Sequence, residues 1–200
     1  MAEQKVHEMK IGVLALQGAF TEHVSALQKL GVEACQVRLP EQLAGLDALI
    51  MPGGESTTIS KLMVAFGILE ALKARARDGL AIWGTCAGMI LLAKEVDDGD
   101  LPIMGLMDIR VKRNAFGRQL DSFEADLLVP LLGGEPFHAV FIRAPAVERV
   151  SNGVEVLAQL ESGPIVAARQ GRYLATAFHP ELTADLRFHR YFLREVVGTG

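Results

Sequence analysis

The sequence predicts an α/β fold, a three-layer sandwich in which helices flank a mostly parallel central sheet that carries a short antiparallel extension. Short, continuously apolar runs alternate with segments of helical period in the first half of the chain. Such runs are typical of strands buried on both faces, and their alternation with helices implies parallel strands joined by right-handed crossovers. In the second half, short strand patterns separated by glycine and asparagine turns indicate antiparallel pairing.

The elements of the first half follow in regular order, and glycine ends several of them. A helical pattern requires apolar residues three or four positions apart, whereas a buried strand is a short apolar run. Predicted strands cover residues 10–16, 33–39, 48–51 and 80–83, and predicted helices cover 20–30, 57–66, 68–78 and 87–93.

The second half is less regular, and its predicted strands lie between residues 103 and 178. They include 138–142, 154–160, 165–169 and 173–177. A helix is predicted over residues 183–197 with Thr183 as its cap, because threonine is favoured at that position.

Composition limits the classes of function. The 200 residues predict one domain over residues 1–200, and a net charge of −4 without a long basic run disfavours nucleic-acid binding. Since no apolar stretch approaches the roughly 20 residues that span a bilayer, no membrane segment is expected. The two cysteines, Cys35 and Cys86, predict a reducing cytoplasm rather than a disulfide scaffold. No paired His or Cys occurs at ligand spacing, so neither a metal nor a cofactor is expected.

Three loops that follow predicted strands contain unusual residues, and the carboxyl edge of a parallel sheet is where ligands bind. They are Gln17-Gly18, residues 52–56 (PGGES) and residues 84–88 (GTCAG). The last places Cys86 between glycines at a strand-to-helix junction, the pattern of a nucleophile elbow. A helix N-terminus and a nearby histidine would favour the thiolate. Taken alone, Cys86 could equally be a small buried hydrophobe, whereas Cys35 lies mid-strand and is interpreted as structural.

His179 is the candidate base among five histidines. It follows a predicted strand, and Glu181 is close enough to hold its imidazole in one tautomer, which repeats the logic of hydrolytic triads. A surface His-Pro-Glu turn would have the same sequence. His189 is interpreted as structural, while His23 and His138 remain open as neighbours of the site.

The loop at residues 52–56 predicts an oxyanion site, because glycines let backbone N–H groups approach a ligand closely. Gly54 would supply one donor, and Ala87, directly after the nucleophile, would supply the other. An ordinary Pro-Gly-Gly turn is the alternative. No lysine and Ser/Thr follow at the spacing of a phosphate-binding loop.

Together these pieces resemble the class I, triad-type glutamine amidotransferases, in which an oxyanion loop, the Gly-x-Cys-x-Gly elbow and His-Pro-Glu follow in this order. Within that class, residues 12–23 (GVLALQGAFTEH), 52–58 (PGGESTT) and 113–119 (RNAFGRQ) closely resemble the glutaminase subunits of pyridoxal 5′-phosphate synthase. The resemblance runs along the whole chain apart from a slightly longer N-terminus.

The resemblance implies a function for each matched residue. Cys86 would attack the glutamine amide to form a glutamyl thioester, with His179 as acid and base and Glu181 as its orienter. The glutamine site would be formed by Gly54, Glu55, Ser56, Arg113, Ile142 and Arg143. A guanidinium suits the substrate carboxylate, but the resemblance, not spacing, selects Arg113 over Arg110 and Arg118.

The resemblance also implies a partner, a (β/α)-barrel synthase that makes pyridoxal phosphate from the delivered ammonia within a large hetero-oligomer. It further implies a glutaminase that, as is typical of the family, is almost silent until docked, and Gln17 and Gly18 would respond to docking. Pyridoxal phosphate would be the partner's product rather than a cofactor here.

Three alternatives remain. A glutaminase serving histidine or purine synthesis would use the same chemistry with another acceptor. In a cysteine hydrolase or stress protein of the DJ-1/PfpI type, histidine follows the cysteine directly, whereas Ala87 does so here. A non-catalytic scaffold would not need the intact Cys86, His179 and Glu181.

Overall fold

The computed structural model describes residues 9–97, 100–117, 121–161 and 163–198. Its strands are β1 Lys10–Leu14, β2 Glu33–Val37, β3 Ala48–Met51, β4 Ala81–Thr85, β5 Ala93–Val96, β6 Met107–Lys112, β7 Ser122–Leu127, β8 Phe137–Ile142, β9 Ala146–Val150, β10 Glu155–Gln159, β11 Ile165–Gln170 and β12 Tyr173–Thr176. Its α-helices are α1 Phe20–Lys29, α2 Ser56–Ala65, α3 Ile68–Arg77, α4 Ala87–Leu92 and α5 Arg187–Tyr191. Short 3-10 segments cover Pro40–Leu43, Pro130–Leu132 and Pro180–Leu182, and α5 continues into a π-helical segment, Phe192–Val197.

The main sheet combines parallel and antiparallel pairing. Its strands follow the order β2-β1-β3-β4-β12-β11-β9-β6-β5, with β10 beside β11. Pairing is parallel from β2 through β12 and antiparallel from β12 through β6, and β5 lies parallel to β6. The predicted fold class, a mostly parallel sheet with an antiparallel extension, is therefore confirmed.

Strand β12 lies at the junction between the two halves of the sheet. The sequence placed it in the antiparallel extension, and it does pair antiparallel with β11, but it is also parallel to β4. Thr176 of β12 is in register with Thr85 of β4. Both strands therefore end at the same edge, and the segments that follow them, carrying Cys86 and His179, lie side by side.

Helices cover both faces of the sheet, as shown by successive residues of β4. Trp83 is fully buried and its ring stacks against Phe188 of α5 and lies near Phe192. The next residue, Gly84, faces the opposite side and lies against Gly88 of α4. Since side chains alternate along a strand, the two contacts define the outer layers of the sandwich.

Strand β8 does not extend the main sheet, so that part of the sequence prediction was wrong. It pairs antiparallel with β7 in a separate small sheet. Phe141 of β8 stacks on Phe123 of β7, with ring centroids 4.5 Å apart. It also packs edge-on against Phe178. The apolar face of the strand thus packs on the core from within this separate sheet.

The predicted helix over residues 183–197 was wrong at its start. Thr183 closes a turn, where its hydroxyl accepts a hydrogen bond from the Asp185 N–H at 3.3 Å. The Asp185 carboxylate then accepts from the Arg187 N–H at 2.9 Å, and α5 begins at Arg187. Short polar side chains that bond to nearby backbone compete with helix formation in this way.

No helix among the described ranges is long and apolar enough to cross a bilayer.

Candidate active site

Cys86 occupies a sharp turn between β4 and α4. Its backbone has φ 47° and ψ −103°, a strained conformation for a residue with a side chain. The turn depends on its flanking glycines. A Cβ on Gly84 would overlap the Gly88 carbonyl, and one on Gly88 would overlap the carbonyl of Met51 in β3. The strand and helix therefore approach closely enough to project the thiol from the sheet edge.

His179 lies beside Cys86 and is held from two sides. Its Nδ1 is 2.7 Å from the Glu181 Oε1, and its backbone N–H donates to the Val140 carbonyl at 2.8 Å. The side chains of His179 and Glu181 are both almost fully buried. Gly53 fits between the histidine and the thiol, because a Cβ there would overlap the imidazole and lie 3.2 Å from the Cys86 Cβ.

The electrostatics of this pair favour a protonated imidazole. Burial opposes the charge on His179, but hydrogen bonds with Cys86 and Glu181 outweigh it and raise the pKa to about 10. Burial also opposes ionisation of Glu181, yet the nearby His23 and His179 lower the pKa of this carboxyl well below its usual range. A protonated His179 could give a proton to a leaving group at the thiol.

The loop between β3 and α2 lies opposite the elbow and is tied to the loop after β1. The Glu55 N–H donates to the Gln17 Oε1 at 2.7 Å, and the Ala19 N–H donates to the Gly53 carbonyl at 3.2 Å. Glu55 itself caps α2 by accepting from the Thr58 N–H at 2.7 Å. Hydrogen bonds led by that of the Thr58 side chain lower the pKa of Glu55 to about 2.

Arg113 follows β6 and points into the same region. Its Nη2 donates to the Ser56 and Thr57 hydroxyls at 3.0 Å each and lies 3.7 Å from the Glu55 carboxylate. The guanidinium remains partly exposed, at 24% for the side chain. It can therefore bind a carboxylate without first leaving a deeply buried position.

These groups line one cavity of about 420 Å³, within the roughly 300–1,000 Å³ range of small-molecule sites. At its wall, β8 ends in a turn where Arg143 takes φ 43° and the Ile142 carbonyl lies 3.8 Å from the Cys86 sulfur. The lining is Gly54, Glu55, Ser56, Cys86, Ala87, Ile90, Arg113, Asn114, Ile142, Arg143 and His179.

Of the residues predicted for the triad, the oxyanion site and the glutamine site, all except Glu181 line this cavity, and Glu181 lies behind His179. Ile90 and Asn114 were missed. Ile90 is one helical turn after the nucleophile, and that spacing could have identified it. Asn114 directly follows Arg113. A nucleophile, a base with its orienter and nearby loop amides together suit acyl transfer from an amide.

Other candidates lie away from the cavity. Cys35 is on β2, His138 on β8 is exposed between Glu124 and Asp126, and Arg110 pairs with Glu148. Arg118 and Gln119, part of the segment 113–119, lie outside the described residues. Within the described residues, no group of three or more His, Cys, Asp or Glu side chains could hold a metal ion.

His23 and His189 form a buried pair behind the site. Their rings are fully buried, with His23 Nδ1 3.0 Å from His189 Nε2. His23 also lies 3.3 Å from the second carboxylate oxygen of Glu181. The structure thus places His23 next to the candidate triad, whereas His189, interpreted as structural, contacts His23.

A family model, a sequence relative and a solved structure of high identity all indicate the same family for this chain. Residues 13–198 match the model of the SNO glutamine amidotransferase family. A protein of Herpetosiphon aurantiacus named pyridoxal 5′-phosphate synthase subunit PdxT is 64% identical over 188 residues, covering 92% of this chain and 99% of the relative. A crystal structure of a glutamine amidotransferase is 55% identical, with a TM-score of 0.88 over 94% of this chain and 99% of that one. The PurLQS structure from Thermotoga maritima, at 18% identity, has a TM-score of 0.70 over 94% of this chain and 98% of its own, which reflects the fold alone.

Proposed function

The chain belongs to the SNO glutamine amidotransferase family, and we propose that it releases ammonia from glutamine through Cys86, His179 and Glu181. It is a glutaminase, the subunit of a pyridoxal 5′-phosphate synthase that supplies ammonia. The observation that carries the proposed residues is the strained Cys86 elbow beside His179, which lines the same cavity and is held by Glu181.

The reaction begins with attack of the Cys86 thiolate on the side-chain carbonyl carbon of glutamine. The N–H groups of Gly54 and Ala87 stabilise the negative oxygen, since Ala87 begins α4 and the first amides of a helix lack intrahelical partners. Protonated His179 gives its proton to the leaving ammonia, leaving a glutamyl thioester. His179 then takes a proton from water, which hydrolyses the thioester to glutamate and restores the thiolate.

Glutamine recognition is assigned to the charged rim of the cavity. Arg113 binds the substrate α-carboxylate, because its planar guanidinium pairs well with a carboxylate and remains partly exposed. Glu55, Ser56 and the Ile142–Arg143 strand end complete the site. The low pKa of Glu55, about 2, keeps a negative charge near the position of the substrate ammonium group.

The partner is proposed to be a (β/α)-barrel synthase within a large hetero-oligomer. Support comes from the similarity to proteins named as subunits of pyridoxal 5′-phosphate synthase. Docking near Gln17 and Gly18 would reach the oxyanion loop directly, because Gln17 accepts a hydrogen bond from Glu55. Ammonia release would then wait for a bound acceptor.

We also propose that residues 1–200 act as one glutaminase domain in the cytoplasm. Support comes from the free thiols of Cys35 and Cys86, since the nucleophile must remain reduced. Cell fractionation that finds the chain outside the cytoplasm would contradict this location.

The test is ammonia release from glutamine, with and without the matching synthase subunit. We expect strong release only in the complex. Cys86→Ala should abolish release while sparing assembly, and Cys35→Ala is the matched control that should keep turnover. Activation by a synthase of histidine or purine synthesis instead would refute the assigned pathway, and a silent wild-type complex would refute the catalytic assignment.

A further inference from the structure

We propose that His23 is a positioning residue that donates a hydrogen bond from Nε2 to Glu181, with its tautomer set by His189. The inference rests on the proposed function. It extends the Cys86–His179–Glu181 arrangement by a second, fully buried layer that the mechanism above does not use.

Glu181 is placed between two imidazoles. One carboxylate oxygen faces His179 Nδ1 at 2.7 Å, and the other faces His23 Nε2 at 3.3 Å. The carboxylate side chain has no exposed surface, so water cannot solvate its second oxygen. Among the described residues this oxygen has no partner that meets hydrogen-bond geometry. Because a buried charge without a hydrogen bond is strongly destabilised, a proton on His23 Nε2, 3.3 Å away, is the interaction that would satisfy it.

Groups from several elements surround His23 of α1. Glu181 approaches from the segment after β12 and His189 from α5. From β4, the Thr85 hydroxyl lies 3.3 Å from Nε2, and the Trp83 ring packs edge-on at 5.7 Å. The Nε2 atom therefore faces both the carboxylate and the residue that precedes the nucleophile.

The contact between the two histidines contains one shared proton. Burial is the main cause that lowers the pKa of His189 to about 3, so this ring is neutral. If His189 Nε2–H donates to His23 Nδ1, that nitrogen is an acceptor, and the proton of His23 lies on Nε2 and points at the carboxylate. The reverse arrangement would place a His23 lone pair against that carboxylate.

The Nδ1 atom of His189 also favours a proton on His23 Nε2. Its Nδ1 is buried and has no hydrogen-bond partner among the described residues. In the reverse arrangement this atom would carry a buried N–H without an acceptor, which costs more than an unpaired nitrogen lone pair deep in the aromatic cluster around Trp83. Both ends of the pair thus favour a proton on His23 Nε2.

Two substitutions at one position separate positioning from packing. In His23→Gln the amide nitrogen takes the place of Nε2 and keeps the donor to Glu181. In His23→Asn the shorter amide takes the place of Nδ1, so it keeps the contact with His189 and loses Glu181. Both remove the imidazole, and exposed His138→Gln is the control.

The assay is glutamine hydrolysis by the assembled complex across pH. We expect His23→Asn to lower kcat about tenfold or more, the effect of one lost hydrogen bond to a charged group, with KM unchanged. Its acidic limb should move to higher pH, because Glu181 becomes easier to protonate. His23→Gln should stay within about threefold of wild type.

Equal losses in the two variants, or none in either, would overturn the inference while the wild-type complex remains active. A silent wild-type complex would instead refute the proposed function. A measurement without substitution decides the case if a variant fails to fold. In ¹⁵N-histidine spectra of the full-length chain, His23 should carry a proton on Nε2, and a bare Nε2 would overturn the proposal.

Discussion

Replacing Glu181 by glutamine tests how much of the catalysis depends on its charge. The substitution keeps the shape of the side chain but removes the negative charge 2.7 Å from the His179 Nδ1. A net hydrogen bond to a charged group contributes about 1.5–3 kcal/mol. At about 1.36 kcal/mol per factor of ten, kcat should fall roughly 10- to 150-fold, with little change in KM.

The pH dependence has a definite sign. The pKa of His179 is raised from 6.5 to about 10. The protonated imidazole therefore stabilises the folded state fully below pH 6.5, and this contribution is lost as pH rises through about 10. Glu181→Gln lowers this pKa, so the alkaline limb of kcat should move to lower pH. Steady-state ammonia release by the complex measures both effects. A variant that keeps kcat within about twofold of wild type would refute the assigned role of Glu181.

Other substitutions probe the substrate, the loop and the elbow. Arg113→Ala should raise KM for glutamine about tenfold or more, because a charge-assisted contact is lost; unchanged KM in steady-state assays would contradict its role. Gln17→Ala removes the acceptor for Glu55 N–H and should reduce partner-dependent kcat, whereas normal activation would count against the docking link. Gly84→Ala forces a Cβ into the Gly88 carbonyl and should lower the free energy of unfolding by about 1–3 kcal/mol or more; an unchanged denaturation midpoint would contradict the close packing.

Local sequence patterns were sufficient for the elbow and much of the parallel sheet. An apolar run that ends in Gly-x-Cys-x-Gly before a helical segment can form few structures other than a tight strand–helix turn, and β4 and α4 flank Cys86 as expected. The choice of Arg113, in contrast, depended on family resemblance. Its position beside Ser56 is set by the folded chain, and spacing alone did not separate it from Arg110.

Contacts between residues far apart in the sequence formed the parts of the site that local patterns did not predict. Nothing local indicates that β12 joins β4, yet this pairing brings His179 to Cys86. The helical period of α1 could place His23 on a buried face, but its partner His189 is 166 positions away. The late start of α5 likewise reflects side-chain hydrogen bonds of Asp185 that compete with helix formation.

The most direct test of the central claim is to identify the nucleophile, as the residue that a substrate analogue alkylates. An active complex treated with a glutamine analogue bearing a reactive diazoketone can be digested and analysed by peptide mass spectrometry. The account predicts one adduct, on Cys86, that appears faster when the synthase subunit is present and is absent from Cys86→Ala. An adduct on Cys35, or ammonia release that survives without a modifiable Cys86, would contradict it.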